Sequence, residues 1–426
     1  MASRTVHPIG SARATIRVPG DKSISHRAAI LGAIATGVTT VEGFLASEDC
    51  LNTARAMRHM GADIERDGDR LAIRGVGLDG LRESGAVVDV GNSGTGIRLL
   101  SGLAAGQAFT TTITGDASIR RRPMDRIVKP LSAMGARISG ASGGLYAPLT
   151  IQGGGLHGIA YDSPVASAQV KSATLLAGLY ADGETTVHEP SLSRDHTERM
   201  LTAFGASVRR DGLAVTVTPR PQLTGREVRV PADISSAAFF LVAGLLAPDA
   251  RVSCVGVGVN PTRTGIVDAL RVMGGDVVAE AEQMSGAEPV ADLHAATSSL
   301  RGATFAGDAI VTMIDELPLL ALAGSQARGQ TVVRDAAELR VKETDRIAAI
   351  VSELSSLGVE VEPRPDGFVI DGPQRIRGGE CESHGDHRIA MMCAVAGLIG
   401  DAPTTIHDVD CVNTSFPTFW ELLEQL

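Results

Sequence analysis

Several short stretches of this chain combine residues that bind anions with residues that move protons. Val18-Pro19-Gly20-Asp21-Lys22-Ser23-Ile24-Ser25-His26-Arg27 sets a lysine, two serines and an arginine directly ahead of the apolar run from Ala28 to Gly37. Pro19-Gly20 reads as a turn and Ser23 as the cap of a buried helix. Backbone N–H groups at a helix start already favour an anion, so these side chains point to phosphate or carboxylate. Met313-Ile314-Asp315-Glu316-Leu317-Pro318 places two carboxylates before another apolar run. Arg340-Val341-Lys342-Glu343-Thr344-Asp345-Arg346, read as two helical turns, puts Lys342 and Arg346 on one face at i, i+4 with Glu343 beside them. Asp386-His387-Arg388 opens the last apolar run with a guanidinium suited to bidentate contact with carboxylate or phosphate. Carboxylates beside fixed cations are acid–base candidates.

Other helix starts are polar in the same way. Gly91-Asn92-Ser93-Gly94-Thr95-Gly96 lets a ligand approach backbone N–H groups without a side chain in the way. Asp116-Ala117-Ser118-Ile119-Arg120-Arg121-Arg122-Pro123 holds three arginines in a row, and its position implies that at least one turns inward. Ser163-Pro164-Val165-Ala166-Ser167-Ala168-Gln169-Val170-Lys171-Ser172 offers hydroxyl and amide groups for a polyol or phosphate oxygens. No glycine spacing fits the Walker pattern, so ATP binding is not indicated. His384 and His387 lack a third metal ligand nearby and read as packed or capping histidines.

These stretches sit on a repeat. Met57-Arg58-His59-Met60-Gly61-Ala62 returns as Leu131 to Ala136, Leu201 to Ala206, Leu270 to Gly275 and Leu354 to Val359. Each copy has apolar residues three apart and then glycine, the pattern of an amphipathic helix ending on a left-handed cap before a strand. The final helix, Phe416 to Leu426, would be a sixth copy. A second phrase, a polar step followed by small apolar residues, follows Lys22, Asn92, Gln169, Ser235, Glu316 and His387 at a period of roughly 70 residues. The expected fold is therefore α/β (α+β): two domains, each of three repeated βαβαββ units around buried helices. The first domain spans 20–231 and the second joins 1–19 to 232–426, with two hinge crossings. Helix N-termini converging on a cleft between the domains would make an anion site.

Composition narrows the field. The 426 residues carry a formal net charge of -10, which argues against a nucleic-acid or anionic-membrane partner. Aromatics are only 3%, so stacking on rings is not the recognition mode. Cys50, Cys254, Cys381, Cys393 and Cys411 are odd in number and far apart, indicating reduced thiols rather than disulfides or zinc. Residues 1–17 have no apolar leader core, and no segment reaches the length of a membrane span. The expected setting is the cytoplasm, and the expected state a monomer.

Taken together, Gly20 to Arg27, Gly91 to Thr95, Arg122-Pro123-Met124, Ser167-Ala168-Gln169, Asp315 to Pro318, Lys342 to Arg346 and Asp386-His387-Arg388 resemble, in order and over nearly the whole chain, the 3-phosphoshikimate 1-carboxyvinyltransferase (EPSP synthase) family. The resemblance implies two domains closing over shikimate 3-phosphate and phosphoenolpyruvate, with transfer of the enolpyruvyl group by addition and elimination. It implies contacts to shikimate 3-phosphate from Lys22, Ser23, Arg27, Ser167, Ala168, Gln169, Arg194, Asp315 and Lys342. Around phosphoenolpyruvate it implies Lys22, Gly94, Arg122, Gln169, Arg346 and Arg388. Glu343 is expected to move the proton at the methylene carbon, and Asp315 or Lys22 to act on the 5-hydroxyl. No metal or organic cofactor is implied.

One position departs from the family pattern: Thr414 stands where many relatives carry a lysine near the C-terminus. The alternative within the same fold, UDP-N-acetylglucosamine enolpyruvyl transferase, uses a loop cysteine and a Lys-Asn pair. Here those positions are Ala117 and Lys22-Ser23. A non-catalytic phosphate- or RNA-end-binding repeat protein is the alternative from another class. The net acidity and the presence of both Asp315 and Glu343 count against it.

Overall fold

Five glycines end five helices in the same conformation. Gly61, Gly135, Gly205, Gly274 and Gly358 have φ of 108°, 110°, 104°, 87° and 88°, a region that costs other residues strain. They follow helices Glu48–His59, Asp125–Ala133, His196–Phe204, Gly265–Val272 and Arg346–Ser356. One residue beyond each glycine, a backbone N–H returns to the helix: Ala62 to Met57 O, Ala136 to Leu131 O, Ala206 to Leu201 O, Gly275 to Leu270 O and Val359 to Leu354 O, at 2.8–3.1 Å. These bonds satisfy carbonyls that the helix end leaves without partners. The C-terminal copy is shorter than its sequence implied. Val409–Thr414 is a 3-10 turn and the helix covers only Phe419–Leu423, with Gln425 N and Leu426 N bonded back to Leu422 O and Leu423 O beyond it.

The computed structural model describes residues 2–426. They form two compact units, one running Gly20–Val230 and the other joining the segment that ends at Pro19 to Pro231–Leu426. Pro231 goes with the second unit, where its ring lies against Gly258.

Five of the six sheets among the described residues repeat one topology. Thr304–Phe305 pairs parallel with Gly329–Val333, which pairs antiparallel with Gly367–Gly372, and Glu362–Arg364 closes the edge. Two sheets take their first strand from a distant part of the chain: Glu227–Arg229 runs parallel to Thr36–Glu42, and Arg13–Ile16 parallel to Arg251–Gly258. The last sheet has three strands, with Ser3–Val6 antiparallel to Thr404–His407.

Inside each unit three helices are buried on nearly all sides. They are Lys22–Ile34, Gly94–Ala105 and Ala168–Gly178 in one, and Ile234–Leu246, Leu317–Gln326 and His387–Ile399 in the other. Small residues permit this packing. A Cβ at Gly102 would lie 2.2 Å from Ala173 O of the neighbouring helix, so only glycine fits. Their sides are spent largely on the core, and their polar groups concentrate in the first turns. Capping carboxylates and hydroxyls stand there: Asp21, Ser93, Ser167, Asp233 and Asp386 accept from backbone N–H groups of the first turn. Asp21 rather than Ser23 caps the first helix, accepting from Ile24 N at 2.8 Å, and Ser23 lies within its first turn.

Candidate active site

In the Gly20–Val230 unit the cations cluster at the starts of the three buried helices. Lys22 forms an ion pair with the buried Asp49. Arg27, one turn further in, donates from Nε to Thr197 Oγ1 at 2.6 Å, from Nη2 to Ser172 Oγ at 2.7 Å and from Nη1 to Ser23 O at 2.8 Å. His26 is buried between Thr53 Oγ1 at 2.8 Å and Ser93 Oγ at 3.5 Å. Burial first, then the charges of Lys22 and Arg27, push its pKa well below the ordinary 6.5.

Gln169 is fixed by two partners from the Gly94 helix: Arg98 Nη1 donates to its Oε1 and its Nε2 donates to Thr95 Oγ1, both at 3.0 Å. Arg98 also donates to Gly94 O at 3.0 Å. Of the three consecutive arginines, Arg120 and Arg121 are exposed while Arg122 is buried. Its guanidinium lies over Gly94, where a Cβ would come 2.7 Å from Nη1. Ser167 caps its helix and Ala168 begins it, both half-buried. Arg194 is half-buried in the loop that leads into helix His196–Phe204.

The second unit holds the carboxylates, gathered by one guanidinium. Arg346, 1% exposed, donates from Nε to Asp386 Oδ2 at 2.7 Å, from Nη1 to Asp315 Oδ1 at 3.2 Å and from Nη2 to Glu343 Oε2 at 2.6 Å. Burial alone would weaken its hold on the proton. Asp386, Glu343 and Asp315 outweigh that and push its pKa further up. Lys342 Nζ lies 3.6 Å from Asp315 Oδ1 and Arg388 Nη2 3.9 Å from Asp315 Oδ2. Arg388 Nη1 also donates to Asp315 O at 3.2 Å and approaches Glu316 Oε1 at 3.5 Å.

Lys342 and Arg346 do not share a helical face. Ala337–Val341 is a 3-10 turn, Lys342 is extended, and Asp345 caps a helix that starts only at Arg346. The two cations instead converge from different backbone on one carboxylate, Asp315.

Several contributors escaped sequence reasoning. Asp49, Thr197 and Ser172 hold the named cations, and Arg98 holds Gln169. Arg98 did leave a signal, as the one charge in the apolar run Ile97-Arg98-Leu99-Leu100. Thr414 donates to Cys411 O at 2.7 Å within its own turn. His384 Nε2 meets Glu353 Oε1 at 2.7 Å, and His387 Nδ1 stands 4.0 Å from Asp386. Glu353, Cys381 and Cys393 bring possible metal-ligand atoms within 4.8 Å of one another. The Glu353 carboxylate is already engaged by His384 and by the backbone N–H of Glu382 at 2.7 Å.

Chemically, one unit presents cations and amide groups for anionic oxygens, and the other presents carboxylates oriented by arginines for proton transfer. Comparison with known proteins is consistent over the whole chain. A family model described as EPSP synthase (3-phosphoshikimate 1-carboxyvinyltransferase) matches residues 6–423. A 3-phosphoshikimate 1-carboxyvinyltransferase from Citrifermentans bemidjiense is 55% identical, covering 100% of this chain and 99% of its own. One from Desulforudis audaxviator is 54% identical, covering 99% and 98%. Among solved structures, EPSP synthase from Acinetobacter baumannii superposes with a TM-score of 0.88 at 47% identity, covering 99% of this chain and 98% of that one.

Proposed function

We propose a division of labour among these residues from one premise: the chain belongs to the EPSP synthase family, the 3-phosphoshikimate 1-carboxyvinyltransferases. It is an enzyme of aromatic amino-acid biosynthesis that transfers the enolpyruvyl group of phosphoenolpyruvate to the 5-hydroxyl of shikimate 3-phosphate and releases phosphate. In the proposed scheme it works as a cytoplasmic monomer. No helix among the described residues is long and apolar enough to cross a membrane.

The reaction needs one proton delivered and one removed at the same carbon. The 5-hydroxyl oxygen bonds to C2 of phosphoenolpyruvate as its own proton leaves, and C3 gains a proton to become a methyl group. C3 then loses a proton, the C2–O bond to phosphate breaks, and the double bond returns in the product. Glu343 is assigned the proton at C3 in both directions. Asp315, beside Lys342 and Arg388, is assigned the hydroxyl proton. Lys22, paired with Asp49, is assigned to the charge of the departing phosphate. Shikimate 3-phosphate is bound by Lys22, Ser23, Arg27, Ser167, Ala168, Gln169, Arg194, Asp315 and Lys342. Phosphoenolpyruvate is bound by Lys22, Gly94, Arg122, Gln169, Arg346 and Arg388.

The observation that carries this reading is the attachment of Glu343 and Asp315 to the same buried guanidinium. Two carboxylates on one rigid fork keep a fixed separation, which ordered proton transfers at neighbouring atoms require. The test is phosphate release from phosphoenolpyruvate with shikimate 3-phosphate in one tube and UDP-N-acetylglucosamine in another, with product masses measured. Release only in the first is expected, and release only in the second would overturn the assignment.

A further inference from the structure

Lys171 is a buried charge outside the groups assigned above. Its side chain is wholly inaccessible, in the first turn of helix Ala168–Gly178. Its Nζ lies 2.7 Å from Glu189 Oε2 and 2.7 Å from Glu198 Oε1, and donates to Ser193 O at 3.3 Å. Ser193 Oγ donates in turn to Glu189, and Arg210 Nη2 reaches Glu198 Oε1 at 2.7 Å. Burying Lys171, Glu189 and Glu198 carries a desolvation cost that pairing must offset, so their placement calls for a reason beyond stability.

The partners supply one. Glu189 and Ser193 lie in the loop between strand Thr185–His188 and helix His196–Phe204, and Ser193 immediately precedes Arg194. Glu198 follows Thr197, whose Oγ1 accepts from Arg27 Nε. Ser172, next to Lys171, accepts from Arg27 Nη2 and lies 2.7 Å from Thr197 Oγ1. One ammonium thus ties together the helix that begins with Ala168 and carries Gln169, the backbone before Arg194, and the hydroxyl pair that aims Arg27.

We propose that Lys171 is a positioning residue for shikimate 3-phosphate, acting through Arg194 and Arg27 rather than by touching the ligand. This inference rests on the assignment of Arg194 and Arg27 to that substrate. Without the ammonium, the carboxylates of Glu189 and Glu198 repel one another, and the loop carrying Arg194 loses its anchor.

The test is steady-state kinetics of Lys171→Met, Arg194→Gln and the double variant, with each substrate varied in turn. Lys171→Met is expected to raise KM for shikimate 3-phosphate at least tenfold while KM for phosphoenolpyruvate stays within twofold. The double variant is expected to be worse than Arg194→Gln alone by clearly less than the full Lys171→Met effect, since part of that effect runs through Arg194 and part through Arg27. A merely structural lysine would lower the active fraction and the melting temperature and leave both KM values in place. That result, or fully additive effects in the double variant, overturns the proposal. If Arg194→Gln raises KM and Lys171→Met does not, only this inference fails. If Arg194→Gln itself leaves KM unchanged, the assignment of Arg194 fails with it. Should Lys171→Met not fold, Lys171→Met/Glu189→Gln removes both members of the Lys171–Glu189 pair and carries the same readout.

Discussion

Arg346 Nε lies 2.7 Å from Asp386 Oδ2, and neither side chain is accessible to solvent beyond 1%. Asp386 meets the same guanidinium again at Nη2 and also caps helix His387–Ile399 through Arg388 N at 2.9 Å. One carboxylate therefore holds the Arg346 guanidinium and the backbone of Arg388, two of the three arginines assigned to phosphoenolpyruvate. Asp386→Ala leaves a buried cation without its main partner, and a loss of about 3–5 kcal/mol in unfolding free energy is expected from urea titration. Asp386→Asn, which keeps the cap, should lose less but still raise KM for phosphoenolpyruvate.

Gly94 is small because Arg122 needs the space. With a methyl group 2.7 Å from Nη1, Gly94→Ala forces the guanidinium aside. Overpacking of this kind costs roughly 1–3 kcal/mol. If Arg122 holds phosphoenolpyruvate, KM for that substrate should rise about tenfold, with KM for shikimate 3-phosphate nearly constant. Equal rises for both substrates would count against the assignment.

His26 gives the protein an acid-sensitive term. Its folded pKa is lowered well below 6.5 by burial and then by Lys22 and Arg27. Below about pH 6.5 the unfolded chain takes up a proton that the folded chain refuses, so stability falls as pH drops. The slope reaches about 1.4 kcal/mol per pH unit until the folded pKa is reached. His26→Asn keeps a polar partner for Thr53 and does not titrate. Its unfolding free energy should fall less steeply from pH 7 to 5 than that of the parent, and parallel slopes would remove the assignment.

The repeat was readable in the chain because its signals are local. Gly61 and its four counterparts stand where a left-handed cap is required, and only glycine meets that requirement cheaply. The residues at the starts of the buried helices were readable for a similar reason, since polar groups interrupt apolar runs there. The start of the Arg346 helix is the exception. The string from Arg340 to Arg346 has good helical spacing, but Asp345 competes as a cap for Ala348 N and resets the register. The partners were hidden for a different reason. Asp49 for Lys22, Thr197 for Arg27 and Glu189 for Lys171 lie 27, 170 and 18 residues away, and only the folded packing brings them together.

Asp315 receives Lys342 Nζ and Arg346 Nη1 on the same oxygen. Asp315→Asn keeps the shape and removes the capacity to take a proton. Turnover should fall by roughly 100-fold or more, the usual yield of a positioned base, while dissociation constants from calorimetry change only a few-fold. A near-normal turnover would return the hydroxyl proton to Lys22.

The central claim is that Glu343, held by Arg346, moves the proton at C3 of phosphoenolpyruvate. Reaction in deuterium oxide tests it directly, because C3 becomes a methyl group that includes a solvent deuteron before a proton is withdrawn. Mass spectrometry of the product and of recovered phosphoenolpyruvate should show deuterium in the vinyl methylene with the parent enzyme. With Glu343→Gln, incorporation per unit time should fall at least 100-fold. Incorporation at the parent rate in Glu343→Gln would contradict the account and assign the C3 proton to another group.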